Sequence, residues 1–99
     1  MKPRVLPEAS QDLLDGFRFY EAKEEGLGSH FLECLFSDID SLEHSAGMHA
    51  SVCGRYRMVS RRFPFGIYYR IEGDTVVVDA VLDCRRDPKK IRKRLRPGR

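Results

Sequence analysis

No run in this 99-residue sequence approaches the ~20 consecutive apolar residues that a membrane helix requires. The opening Met1-Lys2-Pro3-Arg4 likewise lacks the apolar core of a secretory signal. The expectation is a chain with no membrane span and no leader. Cysteine is scarce and odd in number: Cys34, Cys53 and Cys84 match no zinc spacing and leave one thiol over in any disulfide scheme. A reduced, cytoplasmic compartment is expected from that usage. His44 and His49 lie near Cys53, but their spacing is not that of a closed zinc site, so no metal is expected. Gly26, Gly28, Gly66 and Gly73 read as turn residues and form no phosphate-cradling fingerprint, so no cofactor is expected either. Nothing repeats and no low-complexity linker divides residues 1–99, which read as one small domain.

What the chain does have is charge, unevenly placed. The composition is 41% apolar and 33% charged, as in a folded domain rather than a disordered segment. The formal net charge of +3 conceals a division between halves. Residues 1–50 hold four Lys/Arg against ten Asp/Glu, net −6, and residues 51–99 hold fourteen against five, net +9. A dipole of this kind favours a polyanionic or acidic partner for the second half.

Periodicity gives the elements. Arg4 to Leu6 reads as a short strand stopped by Pro7. A helix is predicted from Pro7 to about Lys23, with Ala9, Leu13, Phe17 and Tyr20 on one face and Gly16 weakening its middle. After Gly26-Leu27-Gly28, Ser29 is the expected cap of a second helix reaching about His44, with Leu32, Leu35, Phe36, Ile39 and Leu42 as its stripe. Residues 45–54 read as a loop. Arg55 to Phe63 alternates as a strand, and two more alternating runs flank Glu72-Gly73-Asp74 as a hairpin. Val76, Val78, Ala80 and Leu82 are expected to face the helices. Arg57, Arg61, Tyr68, Arg70 and Asp79 are expected on an exposed sheet face. The fold class is α+β: an N-terminal strand, then a helical hairpin packed on an antiparallel sheet of about four strands.

Two features carry candidate chemistry. The tail at about 85–99 holds Arg85, Arg86, Lys89, Lys90, Arg92, Lys93, Arg94, Arg96 and Arg99 against Asp87 alone. It reads either as a phosphate clamp or as a solvated terminus, and Ile91 and Leu95, four apart, suit a short docked helix. The sheet arginines Arg57, Arg61, Arg62, Arg70, Arg85 and Arg86 form the second. Guanidinium groups on a rigid sheet hold phosphates bidentately, whereas cross-strand pairing of Arg57 or Arg70 with Asp79 merely solvates the face.

The lead-in Arg61-Arg62-Phe63-Pro64-Phe65, the strand Ile67-Tyr68-Tyr69-Arg70, the Val-rich strand and the exit Arg85-Arg86-Asp87-Pro88 resemble the later strands of the RelE/ParE family. These are the toxin halves of bacterial toxin–antitoxin (plasmid stabilisation) pairs. The likeness runs from about Val5 to Leu95 and is strongest over residues 55–88. It implies the same α+β order, a cytoplasmic protein and neutralisation by an acidic antitoxin in a hetero-oligomer, with no membrane partner. Its RelE branch cleaves messenger RNA on the ribosome with basic side chains; its ParE branch poisons DNA gyrase.

The resemblance places Arg57 and Arg86 at basic catalytic positions of the RelE branch, so they are the candidates if the chain is a nuclease. Val59, Gly66 and Asp83 stand where that branch has further basic groups, and Arg92 about where it has an aromatic. Attack of a 2′-OH needs an acid and a base, and arginine, with a pKa above about 12, is a poor choice for either. The Phe63-Pro64-Phe65-Gly66-Ile67-Tyr68-Tyr69-Arg70 segment is similar to ParE-type sequences. The implied function is a ParE-like toxin that binds gyrase, with Arg61, Arg62, Arg70, Arg85 and Arg86 as target-binding residues. The alternatives are a ribosome-dependent ribonuclease and an inactive relative that binds the antitoxin.

Overall fold

Residues 2–96 are described by a computed structural model. The sequence-predicted tail extends beyond them, so Arg99 lies outside the described residues. The elements are β1 (Pro3–Val5), α1 (Pro7–Lys23), α2 (Leu27–Ser45), β2 (Ala50–Val52), β3 (Arg55–Val59), β4 (Phe65–Glu72), β5 (Thr75–Asp83) and α3 (Pro88–Arg94). Five strands form one sheet in the order β1-β5-β4-β3-β2. β1 runs parallel to β5 and the other neighbours are antiparallel.

α1 starts at Pro7, where the missing N–H has no helical partner to lose, and carries Glu8 in the first turn and Lys23 in the last, each suiting the helix dipole. Its buried face is Ala9, Leu13, Gly16 and Tyr20. The cap expected from Ser29 comes from elsewhere. α2 begins at Leu27, and the Glu21 carboxylate of α1 accepts the Gly26 and Gly28 N–H groups at 3.0 and 2.9 Å. A full negative charge on two orphan donors is a stronger stop than a hydroxyl.

Two glycines set how closely the hairpin closes. A Cβ on Gly16 would lie 2.5 Å from the Phe31 ring, and one on Gly28 would lie 2.6 Å from the Phe17 carbonyl oxygen. Gly28→Ala is therefore expected to destabilise the fold by about 1–3 kcal/mol, although alanine is the better helix former. A urea midpoint equal to or above that of the parent chain would show that the crossing has slack.

The hairpin packs on the sheet through Phe31, Leu35, Ile39 and Leu42, which meet Ile67, Tyr69, Val76 and Val78. Phe31 takes the place expected of Phe36, which is 43% exposed. Phe17 and Leu32 are only partly buried.

β5 departs from simple alternation. Tyr68 pairs with Ala80 but Tyr69 pairs with Val78, so Asp79 is an extra, bulged residue. The bulge inverts the faces beyond it. Val76, Val78 and Val81 face the hairpin, whereas Ala80 and Leu82, expected there, turn to the other side. Val77 and Val81, which simple alternation turns away from the hairpin, are buried.

On that other side α3 lays Ile91 and Leu95 over Tyr68, Ala80 and Leu82. Tyr68 is thus fully buried rather than exposed, because the short amphipathic helix covers it. Asp87 caps α3 by accepting the Lys89 N–H at 2.9 Å. Arg94 on α3 forms a two-pronged bond to Asp12 of α1, at 2.8 and 2.7 Å. The same carboxylate accepts the Val81 N–H at 3.0 Å, satisfying β5 where β1 no longer pairs with it.

Candidate functional site: the arginines and their partners

The basic residues of the sheet divide into separate environments. At the bulge, Asp79 accepts Arg55 Nε at 2.5 Å and is also bonded by Arg70 Nη1. Arg70 Nε donates to Glu72 at 2.6 Å. Arg70 is thus neutralised by two carboxylates, and the Asp79 partner beside it is Arg55 rather than Arg57.

Arg61 and Arg62 are exposed and line a groove of about 520 Å³ against α2, with His30, Glu33, Cys34 and Asp38 among the facing residues. His30 and Cys34, one turn apart, bring a ring nitrogen and the thiol sulfur to 3.8 Å. That proximity was readable from their spacing of four on a helix. His49 instead shares a 2.6 Å hydrogen bond with Tyr69, whose hydroxyl also accepts the Gly47 N–H. Burial raises the Tyr69 pKa, and the Gly47 N–H opposes the rise. Among the described residues no three His, Cys, Asp or Glu side chains are placed to hold a metal ion.

At the sheet exit Arg85 embraces Asp83, with Nε at 3.0 Å, Nη2 at 2.8 Å and its own backbone N–H at 2.8 Å. The Arg85 side-chain bonds hold the Asp83 carboxyl below the usual aspartate range. Arg86 is exposed and lines a smaller groove of about 200 Å³ with Asp12, Asp15 and Phe19 of α1.

Arg57 is placed differently from all of these. It is half-buried on the face opposite the hairpin, with its stem laid across Gly66. A Cβ on Gly66 would sit 3.0 Å from Arg57 Cδ, so glycine here leaves room for the side chain to lie flat on the sheet. The guanidinium ends beside Tyr68 and Cys84. Burial pushes both of those pKa values up, and Arg57 opposes the rise in each. Both groups are therefore neutral at neutral pH. Arg57 Nε and the Tyr68 hydroxyl are both shielded from solvent, and the Arg57 side chain is the hydrogen-bonding neighbour that opposes the rise at Tyr68.

The structure thus brings together Arg55 and Arg70, and Arg61 and Arg62, but not Arg57 and Arg86, which lie on the α3 and α1 sides of the sheet. Sequence reasoning missed the Arg55–Asp79 and Asp12–Arg94 pairs. The first needed the bulge; the second joins residues 82 positions apart, for which no local signal exists.

Among the described residues no helix is long and apolar enough to cross a membrane. No curated protein matches the sequence. A solved structure titled the chromosomal ParDE TA system from P. aeruginosa is similar, with a TM-score of 0.71 at 17% identity, covering 82% of this chain and 92% of that one. That likeness is one of fold. The sequence itself matches, over residues 4–88, the family model of the ParE toxin of the type II toxin-antitoxin system, parDE. With that span covering β1 to the start of α3, the chain belongs to the ParE toxin family of type II toxin–antitoxin systems.

Proposed function

We propose that this protein is a toxin held inactive by a cognate acidic antitoxin, and that when released in the cytoplasm it acts by binding DNA gyrase rather than by cutting RNA. The carrying observation is the surroundings of Arg57, one of the two candidates for a catalytic cation: among the described residues it lies beside Tyr68 and Cys84, both held neutral by burial. Such a site offers positive charge but no group that exchanges a proton near neutral pH, which in-line attack by a 2′-OH demands. The exposed Arg61, Arg62, Arg85 and Arg86 are the residues proposed to meet the target; Arg70 is occupied by Asp79 and Glu72.

Inducing the chain alone tests the reading. Gyrase-dependent DNA breakage is expected, with messenger RNA left intact. Joint replacement of Arg85 and Arg86 by Ala is expected to lower toxicity at least tenfold, while circular dichroism stays that of the parent because both side chains are exposed. Codon-dependent cleavage of messenger RNA on ribosomes, with gyrase untouched, would overturn this assignment in favour of the nuclease branch.

A further inference from the structure

Among the described residues, Cys34 is the thiol with an imidazole within reach. His30, one turn earlier on α2, brings its two ring nitrogens to 3.9 and 3.8 Å from Cys34 Sγ. The His30 ring packs against Phe63 with centroids 5.7 Å apart, which fixes where it stands. Cys53 is exposed at the turn between β2 and β3, and Cys84 is half-buried, where burial pushes its thiol pKa up. Attack by a thiol requires that its proton leave, and a ring nitrogen beside the sulfur is a group that takes it.

The pair opens into the groove between α2 and the residues that follow β3. Its volume of about 520 Å³ is that of a small-molecule site. The walls carry both signs of charge: Glu33 and Asp38 from α2, Arg61 and Arg62 from the other side. None of these four enters an ion pair among the described residues, so their charges face the groove unneutralised. Opposite charges held apart around one cavity complement a ligand that carries both. A metal ion is the less fitting occupant, because His30 and Cys34 supply two donors and no group of three is placed to hold one among the described residues.

We propose that this groove is a thiol-modification site in which Cys34 exchanges with a zwitterionic peptide disulfide, its carboxylates held by Arg61 and Arg62 and its ammonium group by Glu33 and Asp38. His30 takes the Cys34 proton as the sulfur attacks. A bond forms between Cys34 Sγ and the nearer sulfur of the ligand, the ligand's own S–S bond breaks, and the departing sulfur leaves as a thiolate that takes up the proton. Cys34 is oxidised and the departing sulfur reduced, so the ligand is itself the oxidant. An adduct there covers Arg61 and Arg62, two of the residues proposed above to meet the target, but the exchange does not depend on that reading and is measured without the target.

The test treats the reduced full chain with glutathione disulfide and locates the adducts over time by peptide mass mapping. Cys34 is expected to react at least tenfold faster than the more exposed Cys53. With the uncharged 2-hydroxyethyl disulfide that lead is expected to shrink several-fold, and in denaturant to vanish. His30→Gln, which keeps a side chain against Phe63, is expected to slow Cys34 with both reagents. Joint replacement of Arg61 and Arg62 by Met is expected to bring the lead seen with glutathione disulfide down to that seen with the uncharged reagent. The Cys53 rate in each sample is the internal reference, and circular dichroism matching the parent shows that the fold is kept. Reaction led by Cys53 or Cys84 in the parent overturns the site. So does a Cys34 lead that is equal for the two reagents, or one that survives both sets of substitutions.

Discussion

Phe31→Ala is expected to remove about 3–5 kcal/mol of unfolding free energy, the largest single effect of any substitution in the helical hairpin. Phe31 has no exposed surface and stands at the centre of an aromatic group. Its ring lies 5.2 Å from Tyr20, 5.2 Å from Phe63 and 4.9 Å from Phe65, the last two edge to face. Such pairs contribute beyond the area they bury. The ring also fills the notch left by Gly16, so truncation opens a space that α1 has no side chain to fill. For a domain of this size the melting temperature should drop by on the order of 12 °C or more. Phe36→Ala, at a position half open to solvent, is expected to change stability by less than about 1 kcal/mol. Equal losses at the two positions would mean that the hairpin is rotated about its axis from the arrangement described.

Asp12→Ala is expected to cost roughly 3 kcal/mol. The carboxylate is almost buried, receives both prongs of Arg94, and satisfies the otherwise unpaired Val81 N–H. Its removal takes the two-pronged carboxylate from the partly buried Arg94 and the acceptor from the Val81 N–H together. The Arg94 pKa is raised chiefly by this bond, with Glu8 and Asp15 adding smaller contributions that survive the substitution. Asp12→Asn, which keeps an acceptor for Val81 and loses the charge, should fall between the two. Hydrogen exchange separates the consequences: the Val81 amide and the α3 amides should lose protection first in the Ala variant. Retained protection at both would show that α3 does not depend on the Asp12 carboxylate.

Much of the architecture was legible because it is local. Pro7, the acidic first turn and the spacing of three and four set α1, and Glu72-Gly73-Asp74 set the turn between β4 and β5. The short β2 was missed, since residues 45–54 read as a loop, although Cys53-Gly54, with positive φ values of 52° and 79°, makes the two-residue turn that an X-Gly pair favours. The bulge at Asp79 was not legible, since a Val-rich run carries the same pattern with or without an extra residue. That one residue misplaced Ala80, Leu82 and Val81, and with them the face on which Tyr68 lies. Choosing Phe36 over Phe31 was an error of about one position in phase, which a helical stripe of mixed aromatic and aliphatic residues does not resolve by itself. The arginines were found as a set, but their division among partners depends on strand faces and on contacts such as Arg94 to Asp12 that no spacing encodes.

The parallel pairing of β1 with β5 has a bearing on how the chain is made. Pro3 aligns with Val76, so the first strand synthesised has no neighbour until the last strand has left the ribosome. The helical hairpin, whose contacts are local, can form early, but its apolar side stays uncovered through most of synthesis. Assembly is therefore an end-stage event in which β5 docks between β4 and β1 and α3 then fastens to α1. A nascent chain interrupted before Thr75 presents Phe31, Leu35 and Ile39 to chaperones and proteases instead of a half-active protein. Any property that depends on the closed sheet then waits for β5 to dock.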